Sequence, residues 1–133
     1  MIRTLLRWLL AIFYGVAGYY HIAAPEPFLS IMPDWVPAAE QVVLLTGIAE
    51  IAGAIGLVQP FFPRLRVAAG IGLALYALCV WPANIEHMAM YLRGEIDGPG
   101  MGYHVPRMVA QPVLIWLALW VGGATDWPLR RRT

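Results

Sequence analysis

Four long apolar segments limit what this chain can fold into more than any other feature of its sequence. They cover residues 5–24, 42–58, 67–83 and 105–124. Each has roughly 17 to 20 residues, and a helix of that length rises far enough to span a hydrocarbon core of about 30 Å. Lipid offers the backbone no hydrogen-bond partners, so such segments cross it as helices. The sequence therefore predicts an all-α transmembrane four-helix bundle, a single domain over residues 1–133.

The composition is that of a chain in contact with a lipid bilayer. Hydrophobic residues make up 60% of it and charged residues 13%, against about 45–50% and about 25% in soluble domains. A net charge of +1 without a basic stripe argues against a nucleic-acid partner. The single cysteine, Cys79, excludes an internal disulfide, and we expect it to be a small buried side chain. The oligomeric state is left open, homo-oligomers included.

The arginines predict the orientation of the bundle. Only Arg93 and Arg107 lie on the side away from the termini. Because positive charge is retained on the cytoplasmic side, both termini are predicted to be cytoplasmic. The arginines on the terminal side are Arg3, Arg7, Arg64, Arg66, Arg130, Arg131 and Arg132.

Two outer loops and several small residues carry further local predictions. The segment PEPFLSIMPDWVP, residues 25–37, is predicted to hold a short interfacial helix. The glycine-rich loop before the fourth helix is predicted to be mobile, with His104 solvated, and that helix to begin near Pro106 and kink at Pro112. Small residues at three- or four-residue spacing predict close helix packing. These pairs are Gly15 with Gly18, Ala49 with Gly53, Ala52 with Gly56, and Ala68 with Gly72.

Every predicted helix carries polar residues in its outer half. Spacings of three or four residues, as between Thr46 and Glu50, place two side chains on one helix face. We predict that this set forms a ligand-binding site, with four aromatic residues around its mouth. The site residues are His21, Glu50, Asn84, His87, Arg107 and Gln111, and the mouth residues are Tyr19, Tyr20, Trp35 and Trp81.

Glu50 is the most informative member of this set. It lies roughly 13 Å below the outer boundary, near the middle of the bilayer. A carboxylate there costs about 2.5–3.5 kcal/mol on insertion scales. It must be protonated, paired with a cation or wetted by a cavity. Arg107 and His21 are the candidate cationic partners, and a neutral Glu50 would donate a hydrogen bond to Asn84 or Gln111; the sequence does not choose among these.

Two other interpretations of the polar set stay open from the residues alone. Polar contacts between membrane helices often only support packing. His21 with His87 would suit a bis-histidine haem, and Glu50 would extend the pair to a transition-metal site. Neither has the close ligand spacing of a metal motif, so no metal is predicted and haem is disfavoured.

Several stretches resemble the DoxX-like family of small four-helix bacterial membrane proteins. They are residues 18–37, LLTGIAEIAGAIGLV (44–58), WPANIEHM (81–88) and RMVAQPVLIWLALW (107–120). The resemblance covers most of the chain and implies a multi-pass protein of the bacterial cytoplasmic (inner) membrane. Some relatives are associated with membrane redox complexes, which implies a redox partner subunit. The matching positions are His21, Glu50, Asn84, His87, Arg107 and Gln111.

Together these features predict a membrane protein that holds a small amphipathic molecule in a pocket of the outer leaflet. A quinone is the best candidate ligand, and the protein would act as an accessory subunit, because the chain has no self-sufficient catalytic motif. One alternative is a small proton-coupled exporter that uses the membrane carboxylate Glu50. The other is a purely structural subunit whose polar cluster sets the helix register.

Overall fold

The computed structural model describes residues 1–127, which contain helices and no strands. The prediction of an all-α protein is therefore confirmed over this range. The arginines at positions 130–132, which entered the prediction of orientation, lie outside the described residues. The helices are α1 (Ile2–Ala23), α2 (Glu26–Leu29), α3 (Ala39–Val58), α4 (Pro63–Leu92) and α5 (Met101–Gly122).

Four of these helices are long and pack side by side in a closed order. Helix α1 contacts α3 and α5, α3 also contacts α4, and α4 contacts α5. The short helix α2 is held against α3. A space enclosed between the four long helices is therefore bordered by all of them.

Three of the long helices, α3, α4 and α5, are long and apolar enough to cross a membrane, which marks the chain as a membrane protein. Helix α1 has a comparable length of 22 residues but is not among the three helices that length and composition select within the described residues. Its sequence includes Arg3, Arg7, Tyr19, Tyr20 and His21, and these polar groups lower its mean hydropathy.

Two predicted helix boundaries were wrong. Helix α4 does not end at residue 83 but continues through Pro82 to Leu92. Helix α5 begins at Met101 rather than near Pro106 and also contains Pro112. A proline inside a helix removes one backbone hydrogen bond, and packed neighbours in a membrane protein tolerate that loss. Gly100 precedes α5 with φ 78°, a left-handed conformation that glycine adopts without strain.

The hydrophobic core lies toward the end of the molecule that carries the termini. At that end the Arg3 guanidinium donates to the Asp126 carboxylate at 2.7 Å, and Arg7 donates to the Val121 carbonyl at 3.0 Å. The core side chains come from all four long helices and leave this half densely packed. They are Leu10, Ala11, Tyr14, Ala54, Leu57, Leu73, Ala74, Ala118, Trp120 and Val121.

Glycines allow two pairs of helices to approach closely. A Cβ on Gly70 of α4 would lie 2.6 Å from the Ala118 carbonyl oxygen of α5. A Cβ on Gly18 of α1 would lie 2.6 Å from the Gly47 carbonyl oxygen of α3. The prediction of close helix packing at Gly72 was wrong, because a Cβ there would meet nothing within 4 Å among the described residues. Close packing therefore depends on which face a glycine occupies as well as on its spacing.

Candidate functional site

A cavity of about 410 Å³ lies between the four long helices, on the far side of the hydrophobic core from the termini. Its volume is within the usual range of small-molecule sites, about 300–1,000 Å³. Apolar and aromatic side chains form most of its wall, and the segment 28–36, which begins in α2, borders it as well. The predicted site residues on this wall are His21, Glu50, Asn84, Arg107 and Gln111, and the predicted mouth residue on it is Trp35.

Four predicted residues lie elsewhere. His87, Tyr19, Tyr20 and Trp81 are not among the described residues that line this cavity. The Tyr19 and Tyr20 rings are exposed on the outer surface of α1, because their positions place them on the face of α1 directed away from the other helices. His87 is linked to the cavity indirectly, through Arg107.

The close approach of α1 and α3 places His21 beside Glu50. A Cβ on Gly47 would lie 2.7 Å from the His21 Cβ, so only glycine leaves the space that His21 occupies. The His21 Nδ1 atom is 3.1 Å from the Thr46 hydroxyl oxygen and 3.6 Å from Glu50 Oε2. Glu50 therefore faces the imidazole, one of the two partners that the sequence left open.

The hydrogen bonds around Thr46 define the tautomer of His21. The Thr46 hydroxyl donates its proton to the Val43 carbonyl oxygen at 2.8 Å. A hydroxyl has one proton to donate, so the contact between His21 and Thr46 requires the His21 Nδ1–H to be the donor. The His21 Nδ1 proton is therefore directed at Thr46 rather than at Glu50 Oε2.

Glu50 itself is 3% exposed, and its Oε2 atom has no hydrogen-bond partner within residues 1–127. Tyr76 also lines the cavity, on α4. No ion pair joins Glu50 to Arg107 in the described part of the chain. Within residues 1–127 the carboxyl group therefore borders the cavity without a fixed cation.

Arg107 is engaged with other residues. Its guanidinium donates to Nδ1 of His87 at 3.0 Å and to the Asn84 side-chain oxygen. It also lies over the Tyr103 ring, 4.9 Å from the centroid. Because arginine only donates, His87 Nδ1 is an acceptor and the His87 ring carries its proton on Nε2. These residues form one network that joins α4 to α5 at the end of the cavity away from the termini.

His104 corrects another prediction. It is not solvated in a loop but lies in the first turn of α5 and is 1% exposed. Its ring packs against His87 and Tyr91, with centroid distances of 4.9 and 5.1 Å. The spacing of His104, Arg107 and Gln111, three and then four residues, is a signal that could have placed it on the inner face of this helix.

Sequence reasoning also missed two tyrosines on the cavity wall. Tyr14 on α1 and Tyr76 on α4 pack edge to face, with ring centroids 6.0 Å apart. Tyr14 precedes His21 by seven residues, two helical turns, and that spacing could have indicated a shared face. Cys79 also lines the cavity and is exposed rather than buried, because its position on α4 lies outside the packed core.

The charges on the outer surface pair with one another rather than with the cavity. Arg93 donates to Glu86 at 2.7 Å and to Glu95 at 2.6 Å. The hydrogen bonds from Arg93 hold the pKa of Glu95 below its usual range.

In residues 1–127, no group of three or more His, Cys, Asp or Glu side chains is arranged to hold a metal ion.

The fold and the site define a helical membrane protein with an internal cavity of mixed polarity. Within this class, residues 10–122 match the model of DUF8561, a family described as a domain of unknown function, and the chain belongs to that family. No curated protein and no solved structure matches the chain.

Proposed function

We propose that all four long helices cross the bilayer as a DoxX-like bundle with both termini in the cytoplasm. Helix α1 supports this proposal because its outward face carries large exposed apolar side chains, such as Leu5, Leu9 and Ile12. The charge distribution supports the orientation. Arg3 and Arg7 hydrogen-bond at the end that carries the termini, and a positively charged end stays cytoplasmic. The membrane would be the bacterial cytoplasmic (inner) membrane.

We further propose that the cavity binds a small amphipathic molecule, with a quinone-type ring as the best candidate. One observation carries this proposal: Glu50 is buried at the wall of a largely apolar cavity of about 410 Å³, and within residues 1–127 no fixed cation pairs with it. An ionisable group inside a membrane segment is expensive to keep there and commonly marks a functional site. A purely structural carboxyl group would be paired and enclosed rather than placed beside open space.

Each part of the cavity would have a separate role in holding this ligand. Phe28 of α2 and Trp35 of the loop that follows border the cavity and would cover the ring. Asn84 and Arg107 form the polar outer end, where a head group would meet the guanidinium. Glu50 would contact the inner polar end of the ligand. In this role the protein would serve as an accessory subunit of a membrane redox system.

Lipid extraction tests the proposal directly. The wild-type protein and the Glu50→Gln and Arg107→Ala variants would be purified in mild detergent, and co-purifying quinone would be measured by mass spectrometry. We expect at least a severalfold loss of quinone per protein in both variants. Glu40→Gln and Arg93→Ala are matched controls, since both residues lie outside the cavity lining. Equal quinone content in the wild type and in the two cavity variants would contradict quinone binding.

A second candidate function, proton-coupled export, is favoured by the same lack of a fixed cation at Glu50 within the described residues. Such a carboxyl group can change its charge without first breaking an ion pair with arginine. In proteoliposomes, efflux of a lipophilic substrate driven by a proton gradient and abolished by Glu50→Gln would support export. Efflux that is unchanged in Glu50→Gln would remove this candidate.

A further inference from the structure

The inner wall of the cavity carries three polar atoms that lack partners within residues 1–127. They are Oε2 of Glu50, the amide oxygen of Gln111 and the hydroxyl of Tyr14. Their residues are 3%, 7% and 2% exposed, and all three line the cavity. The three atoms belong to α3, α5 and α1, three of the four long helices around the cavity. A buried polar atom without a partner destabilises the protein, and a ligand that pairs with these atoms removes that penalty.

The three atoms differ in whether they accept or donate hydrogen bonds. An amide oxygen only accepts hydrogen bonds, and a carboxyl oxygen is foremost an acceptor. His21 Nδ1 lies 3.6 Å from Glu50 Oε2, but its proton is donated to the Thr46 hydroxyl. Glu50 Oε2 therefore keeps its capacity to accept a hydrogen bond from a ligand. The hydroxyl of Tyr14 can both donate and accept, and so it adapts to either kind of ligand.

From this arrangement we infer that the ligand presents a hydroxyl group to the inner wall, as a phenol or a hydroquinone does, rather than a carbonyl oxygen. A ligand hydroxyl donates to Glu50 or Gln111 and accepts from Tyr14. Of the three unpartnered atoms, a carbonyl oxygen would face two acceptors, Glu50 Oε2 and Gln111 Oε1, and one donor, the Tyr14 hydroxyl. This inference rests on the proposed ligand-binding function and deepens it, because for a quinone-type ring it selects the reduced, hydroxyl-bearing form.

The apolar wall determines the polarity of the rest of the ligand. Phe13, Phe28 and Leu114 line the cavity together with the polar atoms, so the hydroxyl must belong to a lipophilic molecule. The Arg107 network occupies the other end of the cavity and already holds His87 and Asn84. The hydroxyl end and the arginine end therefore give the bound molecule one orientation.

A pair of probes that differ only in the donor tests this inference. 4-Octylphenol and 4-octylanisole have similar size and lipophilicity, but only the phenol donates a hydrogen bond. Both would be titrated into the detergent-solubilised protein by calorimetry. We expect the phenol to bind about tenfold more tightly, as a hydrogen bond to a charged or buried acceptor provides.

Three variants then assign the preference to the inner wall. Glu50→Gln and Gln111→Leu should each reduce the ratio of the two affinities severalfold. Leu114→Ala, one helical turn from Gln111, should weaken both probes equally and leave the ratio unchanged. A ratio that both polar variants leave intact would overturn the inference.

The outcomes separate this inference from the function on which it rests. If the anisole binds as tightly as the phenol, the hydroxyl preference is wrong and ligand binding stands. If neither probe binds to the wild type, both the preference and the proposed cavity function are wrong.

Discussion

The two halves of this molecule are built from the same four helices but pack in opposite ways. Toward the termini, apolar side chains fill the space between the helices, and Leu57 and Val121 are fully enclosed. Away from the termini, the helices leave a cavity of about 410 Å³ bordered by Glu50 and Gln111. One half therefore supplies the packing that holds the fold, and the other can keep polar atoms that a dense core would not accept.

The glycine contacts sharpen this contrast. In the half that contains the hydrophobic core (the packed half), a Cβ on Gly122 would lie 2.8 Å from the Gly70 Cα, so backbone meets backbone. In the half that contains the cavity (the hollow half), the close contact at Gly47 brings the side chain of His21 against α3. Close approach of two helices at a glycine therefore stabilises the packing in one half and positions a polar side chain in the other.

The largest expected effect comes from truncating leucine in each half. Leu57→Ala should lower the free energy of unfolding by about 2–5 kcal/mol, because it opens a void in an enclosed site. Leu114→Ala removes the same atoms from a wall that already borders open space, so we expect less than about half of that loss. Unfolding of both variants in bicelles would measure the difference. Equal losses would show that the two halves are packed alike.

Two glycines on one helix give the next largest contrast. Gly70→Ala should destabilise the protein by about 1–3 kcal/mol, since the added methyl group meets the Ala118 backbone and forces α4 and α5 apart. Gly72→Ala should be neutral or stabilising by up to about 1 kcal/mol, because its Cβ meets no described atom within 4 Å. Thermal unfolding of the pair would compare them. A larger loss at Gly72 would contradict the assigned faces of α4.

Removing an unpartnered polar atom from the hollow half should increase the free energy of unfolding rather than decrease it. Gln111→Leu is expected to raise the stability of the ligand-free protein by about 1 kcal/mol, because the buried amide oxygen has no partner among residues 1–127. The same variant should bind hydroxyl-bearing ligands less tightly. Thermal unfolding after removal of lipids would measure the gain. A destabilised Gln111→Leu would mean that the amide already makes a hydrogen bond that supports the fold.

The smallest expected effect concerns the outer surface. The pKa of Glu95 is lowered by its hydrogen bonds with Arg93, so this contact stabilises the folded loop above the unfolded pKa of Glu95. That contribution is lost as the pH falls through the lower, folded pKa. Both groups are solvent-exposed, and the effect on global stability should be small. Amide hydrogen exchange in residues 93–100 should accelerate at acidic pH in the wild type, and Glu95→Gln should show the faster rate already at neutral pH.

Local features of the site could be predicted from the sequence, but their contacts could not. Helical spacing indicates that Thr46 and Glu50 share a face, because 3.6 residues make one turn. It does not give the rotation of one helix relative to the next. For that reason Arg107 was a candidate partner of Glu50, whereas the structure pairs it with His87 and Asn84.

The sequence by itself determined that the chain is helical and apolar enough for a membrane, because the length and composition of the segments decide both properties. The tertiary structure alone decided that α4 continues past Pro82 and that His104 is buried. It also decided that Glu50 faces His21 across a close glycine contact and borders a cavity. These outcomes depend on how helices distant in the chain rotate and approach one another, and no spacing within a single helix contains that information.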